Sequence, residues 1–419
     1  MSAPRVAIVG APLELAADLV TLLLDRGIAP DHVRILDRED TAGETVELED
    51  FRRRVEWAAG ESVAGADFAI FCGRAEIARE LTPALRARGG VAIDATSCAR
   101  SEPGVPIVVP EVNGPALGAV GPGSVIASPS AAAVGLALAL APLHRAARVR
   151  RVTATVFEPA AQRGPDAIDE LSRQSIQLMQ GRGLDRDEFH EQLAFNVRAQ
   201  RPEEEGGWSP DELALARELP IVLDAADLTV AATVVRAPVF FGSAQSVSVE
   251  LEREVQLADA ETALRAAPGV LLAGSVEDRL AVAVEAARRR KERAAAAHEE
   301  EDDDRDIAEE MREDGLEEIA EDEDDEDEGE GRERRRDDDE PQQPEDRAPH
   351  PRGADGDPEP DLVPGPVDVS GSAFVHVARL RVDAVHPRSL LLWIAFDELR
   401  RGVAMNAVGI LELALQARG

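Results

Sequence analysis

The sequence predicts an α/β protein, a doubly wound parallel sheet at the N-terminus followed by an α+β domain with a mixed sheet. Short, uninterrupted apolar runs alternate with helix-like segments as far as Ala127. β-Branched and alternating strands follow from Arg151. Continuous apolar runs read as strands buried on both faces, as in a parallel sheet, whereas alternation reads as a sheet with one open face.

The elements follow in chain order. Arg5–Val9 (RVAIV) reads as a buried strand and Leu13–Arg26 as a helix; Val33–Leu36, Phe68–Cys72 and Val91–Asp94 are further strands, with a helix over Ile77–Arg88. This alternation is that of βαβ units. SVIASPSAAAVGLALAL, residues 124–140, is a strand-to-helix junction. Such a junction presents a reactive side chain or a phosphate loop at a helix N-terminus, yet this one offers Ser130 and three alanines. Beyond it, Val152–Phe157, Thr229–Val235 and Ser246–Glu254 read as strands, and Ala167–Gln180, Pro210–Leu219, Leu257–Leu264 and Val276–Arg293 as helices. Ser372–Val382 and Leu390–Phe396 are two more strands. A last helix from Leu399 to Ala417 carries Val403, Ala407, Ile410, Leu411 and Leu415 on one face, a spacing suited to packing on a sheet.

The chain carries a formal charge of −36 over 419 residues, which argues against nucleic acid or an anionic membrane as partner. The charge is concentrated: Glu299–Asp361 holds 33 acidic and 8 basic residues, a net of −25, which leaves −11 for the rest. Residues 294–362 cannot bury enough apolar surface to fold and read as a disordered acidic insertion. It is either a solubilising loop or a docking segment for a basic partner. The expected domains are therefore 1–127, then 128–293 with 363–398, then the insertion 294–362, and a C-terminal helix 399–419 returning to the first domain. Cys72 and Cys98 make no disulfide framework and suit a reducing compartment. No signal-peptide layout opens the chain and no apolar run reaches the roughly 18–20 residues of a membrane span, so the expected location is cytoplasmic. His32, His144, His190, His376 and His386 are scattered, and His298 and His350 fall in the acidic tract, so no metal-ligand spacing is present.

Five ordered blocks carry a resemblance: VAIDATSCAR followed by VPIVVPEVN, then AFNVRAQ, GWSPDELALARE, VVRAPVFFGSAQSVSVELE and DELRRGVAMNAVGILELAL. Together they resemble the aspartate-semialdehyde dehydrogenases. The resemblance implies a Rossmann-type domain and an α+β catalytic and dimerisation domain, as in glyceraldehyde-phosphate dehydrogenase. It also implies NADP as cofactor, a cysteine nucleophile forming a thioacyl enzyme, and a histidine acid/base.

Matched residue by residue, the reacting groups are missing. The family's junction, Asn-Pro-Asn-Cys-Ser-Thr, reads Ser128-Pro129-Ser130-Ala131-Ala132-Ala133 here, which puts Ala131 at the nucleophile's position. A methyl group cannot attack a carbonyl. The histidine's position is Ser243, after Gly242, and a hydroxyl cannot cycle a proton near neutral pH. The position of a glutamine near the reacting carbonyl is Glu158, where a carboxylate would repel an oxyanion. Of the family's glycine-rich cofactor turn only Gly10, followed by Ala11, remains; Pro12, Leu13 and Glu14 oppose a pyrophosphate. Arg100, Glu212 and Arg236 match substrate-binding positions for an anionic end, an amine and a carboxylate, while a phosphate-binding lysine is replaced by Ala214. The two arginines are either structural ion pairs or a retained anion pocket. A thiolate relocated to Cys98 is a further possibility, against the reading of a small buried side chain.

The resemblance thus implies a catalytically impaired paralogue that keeps the fold, the dimer surface and a pocket for a small anionic amino acid. Cysteine-less paralogues of this kind exist in the family, and the chain would form a homodimer or a heteromer with an active paralogue. The alternative is an active NADP-dependent oxidoreductase on an aldehyde or oxo group, working without a covalent intermediate.

Overall fold

The computed structural model describes residues 4–38, 41–48, 51–201, 206–273 and 363–418. The helix expected over Val276–Arg293 and the acidic insertion lie outside the described residues.

Six strands form the first sheet, and every adjacent pair is parallel. They are β1 (Val6–Val9), β2 (Val33–Asp37), β5 (Glu56–Trp57), β6 (Phe68–Phe71), β7 (Val91–Asp94) and β8 (Val125–Ala127), in the order β5-β2-β1-β6-β7-β8. β1, β6 and β7 are buried at every position, which is why they appear in the sequence as continuous apolar runs. α1 (Leu13–Asp25) and α2 (Ala75–Ala87) connect strands of this sheet. A small antiparallel pair, β3 (Thr45–Leu48) with β4 (Phe51–Arg54), is absent from the sequence reading. Its strands, TVEL and FRRR, are short and carry few apolar residues, so no run stands out.

The second sheet is mixed, as expected. Its seven strands are β9 (Val149–Glu158), β10 (Arg198–Ala199), β11 (Thr229–Arg236), β12 (Ser243–Leu251), β13 (Val270–Leu272), β14 (Val375–Val382) and β15 (Ser389–Phe396), in the order β10-β11-β9-β12-β15-β14-β13. β9 pairs parallel with β11 and antiparallel with β12, which places Glu158 beside Arg236 in register. Three helices pack on the inner face: α3 (Ala131–Ala147), α5 (Pro210–Val222) and α6 (Leu257–Arg265), while α4 (Pro165–Met179) lies beyond the end of β9. The outer face shows Thr153, Thr155, Ser246 and Ser248, with the Phe157 and Trp393 rings 5.9 Å apart at its edge.

The alanine content of α3 has a packing cause. Leu136 to Pro142 are all buried, so this stretch of the helix has no solvent face. At Gly135 a β-carbon would sit 2.5 Å from the Phe396 ring, so nothing larger fits. The chain then returns. A π-helical turn, Glu398–Ala404, leads into α7 (Met405–Arg418), whose Val408, Ile410, Leu411 and Ala414 share a core with Ile8, Leu19 and Ile70 of the first domain. A uniform last helix was expected from Leu399; the turn accommodates Asp397, whose Oδ1 accepts Arg400 N–H at 2.7 Å, before the helix settles.

Candidate active site

Two cavities lie between the N-terminal ends of helices and the carboxyl ends of strands. The larger, a cleft of about 620 Å³, opens at the carboxyl ends of β1, β2, β6 and β7, the crevice where open α/β sheets bind ligands. Its floor is backbone. Gly10 (φ +74°) and Gly73 (φ +93°) reverse the chain after β1 and β6, and a β-carbon on Gly73 would stand 2.2 Å from the Gly10 carbonyl oxygen. Both turns therefore require glycine. Pro12 caps α1 and lines the cleft, whereas Ala11 is buried beneath it and Leu13 packs into the domain core. Glu14, expected near a phosphate, is exposed and does not line the cleft. Cys98 is part-buried beside Asp94; burial, and then Asp94, push its thiol above the ordinary value, away from thiolate character.

The smaller cavity, about 20 Å³, sits at the N-terminus of α3. It brings together Ala131, Glu158 and Ser243, and Ser130, Gln162, Asp211 and Glu398 are among the other residues of its wall. A β-carbon added at Gly402 of the π-helical turn would touch the Ala131 methyl at 2.6 Å. Ser243 Oγ donates to the Phe157 carbonyl at 3.2 Å, so its hydrogen is committed to the sheet. Glu158 accepts Gln200 Nε2 at 2.6 Å. Burial, reinforced by Asp211, raises Glu158 to about 8, so at neutral pH it is a carboxylic acid. This corrects the expectation of a charged carboxylate there: desolvation outweighs the pull of Gln200, Arg236 and Arg163. Glu398 is likewise raised to about 8, by burial and then by Asp397. One of its oxygens accepts Gly242 N–H at 2.8 Å and the other, Oε1, is buried without a partner.

The expected substrate residues separate into two groups. Arg100 lines the larger cleft and is anchored on the backbone: Nε donates to the Ser128 carbonyl at 2.9 Å, Nη2 to the Ala95 carbonyl at 3.0 Å, and Nη1 lies 3.6 Å from Glu218. Glu212 is also anchored on the backbone, accepting Ser209 N–H at 2.9 Å and Val234 N–H at 3.0 Å. It closes a capping box with Ser209, and the adjacent Asp211 is the acid that lines both cavities. Arg236 differs. It ends β11, half-buried, and its Nε is buried without a partner; burial and Arg163 lower its pKa while Glu158, Glu191 and Asp211 oppose them.

Sequence reasoning missed Glu218, Asp211, Gln200 and Glu398. Glu218 anchors the junction: its Oε2 accepts Ser130 N–H at 2.8 Å and Ser130 Oγ–H at 2.7 Å. Its signal was present, because it lies on the face of α5 that also buries Leu215, Leu219 and Val222. An acid on a buried helix face has a partner to hold. Ser-Pro-Asp-Glu was a legible capping box, which would have assigned Glu212 to the helix and left Asp211 for the cavity.

Comparison with known proteins identifies the architecture. Residues 5–119 match the semialdehyde dehydrogenase NAD binding domain, and residues 140–290 the semialdehyde dehydrogenase dimerisation domain. Aspartate-semialdehyde dehydrogenase of Aquifex aeolicus is 26% identical over 415 residues, covering 98% of each chain. That of Bacillus subtilis is 29% identical over 277 residues, 64% of this chain and 80% of the relative.

The chain belongs to the semialdehyde dehydrogenase family.

In fold, it is similar to the crystal structure of aspartate semialdehyde dehydrogenase II from Vibrio cholerae, with a TM-score of 0.73 at 24% identity and coverage of 99% of this chain and 98% of that one. It is also similar to the Candida albicans enzyme crystallised with NADP, with a TM-score of 0.58 at 14% identity. For this semialdehyde dehydrogenase family chain, the cleft of about 620 Å³ is floored by the Gly10 and Gly73 turns, while Pro12 at the start of α1 offers no N–H to a phosphate. The end of β2 presents Asp37, with Arg38 beside it, to the same cleft. Among the described residues no group of three metal-ligating side chains occurs, and no helix is long and apolar enough to cross a membrane.

Proposed function

We propose that this chain is a family member impaired in thioacyl chemistry that retains a pocket for a small carboxylate and associates through the second sheet. The observation that carries the reading is Ala131. It occupies the first position of α3, in a cavity of about 20 Å³ closed by the π-helical turn. No sulfur, hydroxyl or amine in that wall is placed to attack a carbonyl: Ser130 Oγ is held by Glu218, and Ser243 Oγ by the Phe157 carbonyl. Losing a covalent nucleophile costs on the order of 10⁶ in rate. Arg236 supports the carboxylate pocket, because a half-buried guanidinium with an open Nε matches a carboxylate fork. The Thr153, Thr155, Ser246 and Ser248 face, within the matched dimerisation domain, supports association with a second copy or with an active paralogue.

A second reading, carbonyl reduction without a covalent intermediate, is favoured by one observation. Glu158, protonated at neutral pH, can hand a proton to a developing oxyanion at the cavity. A bound nicotinamide dinucleotide would supply the hydride.

Phosphate-dependent oxidation of aspartate semialdehyde, assayed with NADP⁺ and separately with NAD⁺, tests the first reading. The expected rate is background, and turnover approaching that of an active family member overturns it. Reduction of the semialdehyde by NADH or NADPH in the absence of phosphate decides for the second reading.

A further inference from the structure

We propose that the cleft of the first domain takes a dinucleotide whose adenosine ribose is unphosphorylated, NAD(H) rather than NADP(H), and that Asp37 makes the choice. The inference concerns the cleft alone and does not rest on the loss of the nucleophile at Ala131.

In doubly wound sheets the residue at the end of the second strand meets the adenosine ribose. An acid there accepts the 2′-hydroxyl, and an arginine nearby takes a 2′-phosphate. Asp37 is the last residue of β2, lines the cleft and is only 7% exposed. Its carboxylate is fixed in place: Oδ1 accepts Arg38 N–H at 2.7 Å and Oδ2 accepts Thr41 Oγ–H at 2.8 Å. Each oxygen has a second lone pair, so a ribose hydroxyl finds an acceptor already oriented. A 2′-phosphate, carrying about 1.5 to 2 negative charges at neutral pH, brings only acceptors to that carboxylate and is repelled.

The neighbouring arginine does not reverse this. Arg38 forks onto Glu80 of α2, with Nη1 and Nη2 at 2.5 and 2.7 Å, and its Nε donates to the Ala58 carbonyl at 3.0 Å. The Glu80 side chain is 61% exposed, and exposed pairs of this kind yield to a competitor at little cost. The charge that cannot move away is Asp37. The same end of the cleft therefore offers a 2′-hydroxyl a partner and a 2′-phosphate an obstacle.

Titration of the full-length protein with NADH and with NADPH, followed by nicotinamide fluorescence and by calorimetry at about 0.15 M salt, tests the inference. NADH should bind at least about tenfold more tightly. Equal affinity, tighter NADPH, or no binding of either overturns it. ADP should compete with NADH and 2′,5′-ADP should not; the reverse order also overturns it.

Asp37→Asn keeps an acceptor for Arg38 N–H and removes the charge, and it should close the gap to within about threefold. A folded Asp37→Asn protein that preserves the wild-type ratio removes Asp37 from the role. Glu80→Gln should leave the ratio within about twofold of wild type. If that change alone closes the gap, Arg38 makes the choice and the assignment fails. Should Asp37→Asn not fold, the wild-type comparison and the two ADP competitors still decide.

Discussion

Replacing Glu158 by glutamine should stabilise the protein, by an amount that grows with pH. The carboxyl has an ordinary value of 4.5 and is raised by burial and Asp211 to about 8. A carboxyl whose folded value lies above its unfolded value binds its proton more tightly when folded. Its burden on stability is therefore absent below about pH 4.5, rises through the window between 4.5 and 8, and levels off above 8. Each pH unit inside the window is worth about 1.4 kcal/mol. The wild-type deficit against an uncharged isostere is then about 1 kcal/mol at pH 5 and about 4 kcal/mol at pH 8. Glutamine keeps the shape and presents an oxygen to Gln200 Nε2, the group that donates to Glu158 at 2.6 Å. Thermal melts of wild type and Glu158→Gln across pH 5 to 8 should diverge by several degrees, the variant melting higher at pH 8. Curves that stay parallel, or a gap that widens toward acid, would refute the claim that this carboxyl is protonated in the folded chain.

Glu218→Ala strands the Ser130 N–H and Oγ–H and removes the anion beside Arg100, so it should cost about 3–5 kcal/mol, seen as a large fall in denaturation midpoint. Gly135→Ala drives a methyl into the Phe396 ring and should cost about 1–3 kcal/mol, read by the same melt. Ala131→Cys with Ser243→His should leave phosphate-dependent turnover at background, because Ala214 still offers no cation to a phosphate; activity within about 100-fold of an active enzyme would contradict this. Arg236→Ala should abolish calorimetric binding of small amino-acid carboxylates while leaving the melt within about 1 kcal/mol of wild type; a lost fold instead would mean that this arginine is structural.

The parallel sheet was legible because β1, β6 and β7 are buried on both faces, so each announces itself as an unbroken apolar run. The edge strand β5 and the β3–β4 pair were not, since their few residues are mostly charged or polar and show no apolar run. At the small cavity, the identities of Ala131, Glu158 and Ser243 were readable from the order of the blocks. The protonation of Glu158 was not, because desolvation is a property of the surrounding fold. Nor could spacing show that Arg100 is anchored on the Ser128 and Ala95 carbonyls and Glu212 on the Ser209 and Val234 N–H groups. Only tertiary packing brings those backbone groups within reach.

The return of the chain to its beginning constrains the order of assembly. Ile8 and Leu19 are synthesised long before Ile410, Leu411 and Ala414, yet they share a core with them. The first domain cannot close while nascent; it must wait through the synthesis of the second sheet and of a stretch dense in acid. During that wait its unfinished apolar surface is uncovered, and a charge placed on the buried face of α7, at Ile410 or Leu411, would keep that surface from being covered.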